Sequence, residues 1–142
     1  MRIKEPFSVF SNLVFLVPLY FAILEESYVH AEIIALVFIF SSVFHIAKPP
    51  RIIWWYDTKG VSQNIKILLW VDTFMAVSLI YYNFYKFWQT GFPLEFWCAV
   101  FVSIFAFYFF FFPLKKNSDL SEGIWHLLGG IITLLAVLAQ SV

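Results

Sequence analysis

The chain alternates long apolar stretches with short polar breaks. A transmembrane helix needs about 20 mostly apolar residues at about 1.5 Å each, and the pattern predicts five such helices, at residues 7–24, 31–47, 65–87, 93–112 and 123–139. The breaks between them are too short to hold a soluble domain. Residues 1–142 are therefore predicted to form a single all-α transmembrane domain, an integral membrane helical bundle.

Composition agrees with a membrane environment. Hydrophobic residues make up 62% of the chain and charged residues 13%, whereas soluble domains have about 45–50% and about 25%. The formal net charge is zero, and Lys and Arg do not form the basic stripe of a nucleic-acid binder, so we expect no nucleic-acid partner. The single cysteine, Cys98, excludes an internal disulfide and a cysteine metal cluster within one chain.

Positive charges sort by side of the membrane. Eight of the nine fall in alternate connections, whereas the connection at Glu25 has none; the eight are Arg2, Lys4, Lys48, Arg51, Lys59, Lys66, Lys115 and Lys116. Lys86 lies on the other side, near a helix end from which a lysine side chain can reach the interface. By the positive-inside rule this predicts an inside amino terminus and an outside carboxyl terminus. The aromatic segment 52–56 is predicted to lie along the membrane surface, and His30 is predicted to be solvated in an outside loop.

Few polar side chains interrupt the predicted helices. An ionisable residue there costs about 2.5–3.5 kcal/mol, so it usually faces a partner or a cavity. Ser41 and His45 end the second helix, Asp72 lies about two turns into the third, and Glu122 and His126 open the fifth. The predicted topology places all five of these residues in the inner leaflet.

Their spacing suggests a metal site. Ser41/His45 and Glu122/His126 are each four residues apart and so lie on single helical faces. Two imidazoles and a carboxylate suit zinc, whose catalytic sites use about three protein ligands and leave a position for water. Asp72 would then hold or deprotonate that water, and Ser41 would donate to a developing oxyanion.

Each residue also has a structural interpretation. His45 can be an ordinary hydrogen-bonding residue, and Asp72 can belong to a structural hydrogen bond or salt bridge. Glu122 can cap or charge-complement a helix amino terminus, and Ser41 can bond back to its own helix. The functional interpretation therefore depends on the convergence of these residues.

The sequence at these positions resembles the CREST superfamily of membrane proteins, which includes alkaline ceramidases, progestin and adipoQ receptors, GPI-remodelling lipases and myomaker-like proteins. Residues 5–12 look like the Glu-x6-Asn block that opens the first helix in the ceramidase branch. Residues 41–45 match the Ser-x3-His block, residues 68–72 look like the helix-three Asp block, and residues 122–126 are similar to the closing His-x-x-Trp-His block.

The resemblance implies a zinc ion and hydrolysis of an amide or ester bond in a membrane lipid. If the family roles are transferred to the matching positions, His45 and His126 are metal ligands. Asp72 then orients the water and Ser41 supports the oxyanion. Glu122 stands where the family has a histidine, which implies either a two-His-one-carboxylate site or loss of metal binding. The family position of Glu5 helps bind calcium in ceramidases, but almost no sequence precedes Glu5 here and we expect no calcium.

The resemblance also implies seven core helices, whereas this chain has room for about five. Either a second copy or a partner subunit closes the cavity, or the pocket of a shortened member opens to lipid.

The polar residues are compatible with three functions. The leading one is a metal-dependent intramembrane hydrolase, ceramidase-like, that acts on a lipid of the bilayer with zinc-activated water and Asp72 assistance. The alternative is a non-catalytic membrane subunit or packing protein that uses the same polar residues structurally. The third is a bis-histidine haem protein, with His45 and His126 as axial ligands.

Overall fold

The computed structural model describes residues 6–48, 60–112 and 118–140, and no strand occurs among them. The first span consists of α1, a 3₁₀ turn and α2, and each later span is one helix. Their bounds are Pro6–Ser11 for α1, Asn12–Phe15 for the 3₁₀ turn, Leu16–Leu24 for α2, Tyr28–Ala47 for α3, Gln63–Gln89 for α4, Leu94–Phe111 for α5 and Ser118–Leu138 for α6. The prediction of an all-helical fold with five long helices is confirmed.

The helices have the length and surface of a multi-pass membrane protein. Five of them are long and apolar enough to span a bilayer. Large aromatic side chains project outward from α4 and α5, among them Phe74, Tyr81, Trp97 and Phe101. An outward apolar surface of this kind is stable in lipid and unstable in water. The predicted surface segment 52–56 lies outside the described residues.

α6 is the central helix of the bundle. It packs against α1, the 3₁₀ turn, α2, α4 and α5, while α3 packs against α2 and α4. A core of Phe15, Ile34, Val37, Leu79 and Val137 joins the first span, α3, α4 and α6. The starts of α1, α4 and α6 and the ends of α3 and α5 share one end of the bundle, here called the site end. The turns at residues 25–27 and 90–93 lie at the other, the far end.

Glycines let the first span approach α6 closely. A methyl group built on Gly130 would lie 2.6 Å from Val14 Cγ1, which is a steric clash. A methyl group on the adjacent Gly129 would lie 3.7 Å from the Phe15 ring, which is ordinary contact. Small residues at such crossings are typical of helix packing in membranes.

Replacing Gly130 by alanine should lower the free energy of unfolding by about 1–3 kcal/mol, because the added methyl overpacks the crossing. Gly129→Ala is the matched control and should be neutral or slightly stabilising, because alanine favours a helix and meets no clash. The midpoint of unfolding in mixed micelles measures both changes. Equal effects of the two substitutions would contradict close packing at Gly130.

Candidate functional site

The five predicted site residues meet at the site end. Ser41 and His45 lie in the last turns of α3, Asp72 lies in the third turn of α4, and Glu122 and His126 lie in α6. His45, Asp72, Glu122 and His126 line a cavity of about 250 Å³, here called the head cavity. Asp72 and His126 also line an adjoining cavity together with Ser41. The four-residue spacings place each pair on one face of its helix, and both faces point inward.

Two imidazoles and a carboxylate form the centre of the head cavity. The rings of His45 and His126 are in edge-to-face contact, with centroids 4.7 Å apart. His45 Nδ1 lies 3.5 Å from Glu122 Oε2 and has no hydrogen-bond partner, although the atom is buried. A buried nitrogen of this kind costs free energy unless something pairs with it. The arrangement therefore offers a lone imidazole nitrogen beside a carboxylate.

Lys48 is part of the same cluster. Its ammonium donates a hydrogen bond to Glu122 Oε2 and lies 5.6 Å from the centre of the Phe44 ring. The Lys48 side chain is only 1% exposed. The sequence places Lys48 in a basic connection at the membrane face and gives it no role, so this residue was missed. It follows His45 by three residues and so continues the same helical face.

Glu122 does not cap a helix. α6 begins at Ser118, so Glu122 lies in its second turn, beyond the amide groups that a cap would satisfy. Its carboxylate instead pairs with Lys48 and approaches His45. The capping interpretation of Glu122 is therefore wrong. The prediction failed because it began the helix at residue 123, about one turn too late.

The orientation of His126 is set by the first span. His126 Nδ1 lies 3.0 Å from Ser11 Oγ and 3.2 Å from the carbonyl oxygen of Ser8. Ser11 Oγ itself donates to the Ser8 carbonyl at 2.9 Å, so its lone pairs face the imidazole. Both neighbours of Nδ1 accept hydrogen bonds, which favours the tautomer with the proton on Nδ1. Nε2 then carries the lone pair that can bind a proton or a metal.

Asp119 anchors the segment that orients His126. Its carboxylate accepts hydrogen bonds from the backbone N–H groups of Phe7 at 3.0 Å and Ser8 at 2.6 Å. This caps the start of α1 from α6 and places the Ser8 carbonyl and the Ser11 hydroxyl beside His126. Sequence reasoning missed Asp119, because nothing local shows that α1 and α6 begin side by side.

Ser41 and Asp72 form a pair across α3 and α4. The Ser41 hydroxyl donates a hydrogen bond to the Asp72 carboxylate, and both side chains line the same cavity. Asp72 thus has a polar partner inside an apolar helix, as its cost of insertion requires. In this arrangement the Ser41 proton is directed at Asp72, and the predicted donation to an oxyanion stays a prediction.

The residues suit a divalent cation by donor type. Imidazole and carboxylate are zinc ligands, and the unpartnered His45 Nδ1 is an atom that a metal would satisfy. Among residues 6–48, 60–112 and 118–140, no group of three or more His, Cys, Asp or Glu side chains is arranged to hold a metal. The Lys48 ammonium donates to Glu122 Oε2, the carboxylate oxygen that approaches His45 Nδ1.

The adjoining cavity has a volume of about 230 Å³ and is here called the apolar cavity. Its walls are mainly hydrophobic side chains of α4, α5 and α6, with Ser41, Asp72 and His126 at the site end. Among the described helices, α4 and α5 are not a closely packed pair. They meet beside their turn, where the rings of Phe87 and Phe96 are 5.5 Å apart. The cavity thus lies behind a gap between two lipid-facing helices.

A second buried polar network lies toward the far end. His30 is fully buried in the first turn of α3, and its Nε2 donates to Asn83 Oδ1 at 2.8 Å. Asn83 Nδ2 donates to Thr133 Oγ1 at 3.0 Å, and Gln140 Nε2 lies 3.4 Å from His30 Nδ1. The prediction of a solvated His30 in an outside loop is wrong, because α3 begins earlier than predicted and turns this residue inward.

Comparison with known proteins finds no relative of this chain. No family model, no curated protein and no solved structure matches the chain.

Proposed function

We propose that the protein is a zinc-dependent intramembrane hydrolase of a lipid amide or ester, a shortened and ceramidase-like member of the CREST superfamily. One observation supports this most strongly. His45, His126 and Glu122 meet at the site end beside the Ser41–Asp72 pair, where an apolar cavity begins. The resemblance of residues 41–45, 68–72 and 122–126 to the family blocks points to the same chemistry.

His45, His126 and Glu122 would hold the zinc ion. When bound, zinc polarises a carbonyl group and lowers the pKa of water to about 7. Side chains of the protein orient the ligand His126 and the general base Asp72. Ser8 and Ser11 keep His126 Nε2 directed away from the first span. Ser41 steadies the Asp72 carboxylate, which is positioned to accept a proton from water as a general base.

The apolar cavity suits an acyl chain. Its mainly hydrophobic walls would bury the chain and place the scissile carbonyl near Asp72 and His126. A membrane lipid reaches such a cavity laterally, through the gap between α4 and α5. We propose that this gap opens to lipid and that the site end faces the inside of the cell, as the positive charges predict.

The Lys48–Glu122 ion pair favours a second candidate, a non-catalytic membrane subunit. The pair satisfies Glu122 without a metal, and polar contacts between α3, α4 and α6 hold the bundle together. The bis-histidine haem interpretation does not fit, because the rings of His45 and His126 are in contact and leave no slot between them for a macrocycle.

Metal content distinguishes the two candidates. Protein purified without chelators should hold about one zinc ion per chain, as expected of a three-ligand site. The double variant His45→Ala/His126→Ala should lose it. Elemental analysis of the delipidated, detergent-solubilised protein measures the ratio.

His30→Ala is the matched control, since it also removes a buried histidine but lies in the far-end network. It should keep zinc. A wild-type protein that fails to bind zinc, or a double variant that still binds it stoichiometrically, would exclude the hydrolase and leave the structural role.

A further inference from the structure

The positive charge buried beside the head cavity is the ammonium group of Lys48. The Lys48 ammonium donates to Glu122 Oε2, the same oxygen that lies 3.5 Å from His45 Nδ1. Glu122 Oε2 is thus shared: the Lys48 ammonium is hydrogen-bonded to it, and the His45 imidazole, which contacts the His126 ring, lies close to it. The carboxylate that a metal would use is already paired with a cation of the chain.

A divalent metal and this ammonium compete for the same oxygen. Two positive charges a few ångströms apart repel each other strongly where water is scarce. The carboxylate can neutralise one of them but not both. Metal binding through Glu122 therefore requires the Lys48 ammonium to leave, and every ion that enters displaces it.

The position and the long side chain of Lys48 allow its ammonium to move. Lys48 follows the last residue of α3 and has an extended conformation, with φ −67° and ψ 146°. Its side chain is a flexible four-carbon stem at the end of the bundle. Rotation about the side-chain bonds moves the ammonium by several ångströms while the backbone hydrogen bond from Lys48 N–H to the Phe44 carbonyl stays in place.

We propose that Lys48 is a built-in competitor of the metal, which holds Glu122 in the metal-free protein and is displaced when a divalent cation binds. The inference depends on the proposed function, since it concerns the same site. It predicts that the native affinity for zinc is weaker than the ligands alone would give.

Zinc affinity tests the competition. Chelator-stripped protein in detergent is titrated with zinc against a chromogenic chelator. Lys48→Met keeps most of the stem and removes the charge. It should bind zinc about tenfold or more tightly than wild type, the gain expected if Lys48 leaves Glu122 free in about a tenth or less of the metal-free protein. Lys48→Arg keeps the charge and should not gain affinity. Lys66→Met removes a charge from the first turn of α4 and should match wild type.

A second measurement needs no substitution at the site. Lys48 is buried in the metal-free protein, so an amine-acylating reagent should modify it slowly. Added zinc should raise its modification severalfold by displacing it, whereas Lys66 should react equally in both states. Mass spectrometry of digested wild-type protein measures both residues, and it remains decisive if Lys48→Met fails to fold.

The outcomes separate the two proposals. Zinc binding to wild type without a gain in Lys48→Met, or with Lys48 equally protected in both states, overturns the competition and leaves the zinc site intact. Absence of zinc binding in wild type and in every Lys48 variant overturns both. Binding by Lys48→Met alone would overturn both proposals for the native protein, because Lys48 would then never be displaced by a metal.

Discussion

Asp72→Asn should lower the hydrolysis of a fluorogenic acyl amide, and of the matching ester, by about 10²–10⁴-fold, the usual contribution of a general base. The amide side chain has nearly the same shape as the carboxylate but cannot take a proton from water. Ser41 can still donate to its oxygen, so the local packing should persist. The loss should appear in kcat, with little change in KM, because an acyl chain would be held by the apolar cavity.

Thr73→Val is the matched control for this substitution. Thr73 is the next residue of α4 and also lines the head cavity, but we assign it no chemistry. It should retain activity within about threefold of wild type, as expected of a residue that supplies no general-base catalysis. Asp72→Asn should also keep its zinc, because Asp72 is not among the proposed ligands. Activity of Asp72→Asn close to that of wild type would contradict the role of this carboxylate.

The helices could be predicted because hydrophobic length is a property of each segment alone. In lipid, a single stretch such as 31–47 satisfies its own backbone hydrogen bonds only as a helix, because a strand would need partner strands on both sides. The ends were less accurate, because the first turns of α3 and α6 contain polar residues that the hydrophobic pattern leaves out. That error of about one turn misplaced His30 and Glu122.

The convergence of the site residues follows from helical spacing and alternating direction. Ser41 and His45 share a face of α3, and the buried stripe of this helix runs through positions with spacings of three and four, at His30, Ile34, Val37, Ser41, His45 and Lys48. Continuing that stripe in both directions would have identified His30 and Lys48 as buried. Charge and the neighbouring Pro49 instead suggested a solvated connection for Lys48.

Contacts between distant segments could not be predicted from a single sequence. Asp119 and the amide groups of Phe7 and Ser8 are more than 100 residues apart. Their pairing depends on which helices are neighbours in the bundle, and hydrophobic patterns do not contain that information. The orientation of His126 follows from this same packing, so it also could not be predicted from the sequence.

Asn83→Leu should have the largest effect on stability, a loss of about 2–4 kcal/mol in the free energy of unfolding. Asn83 is the central residue of the far-end network, accepting from His30 Nε2 and donating to Thr133 Oγ1. Leucine has a similar volume but leaves the fully buried His30 Nε2 without its acceptor. Each buried polar group left unpaired costs about 1–3 kcal/mol. The unfolding midpoint in mixed micelles measures the loss.

A double-mutant cycle separates this network from general packing. His30→Phe removes the imidazole that Asn83→Leu would leave unpaired, so the double variant should be more stable than the sum of the single losses predicts, by about 1 kcal/mol or more. Zinc content should stay at the wild-type value throughout, because the network lies at the opposite end of the bundle from His45 and His126. Additive losses would show that His30 and Asn83 are not coupled. A loss of zinc in the folded variants would show that the two ends depend on each other.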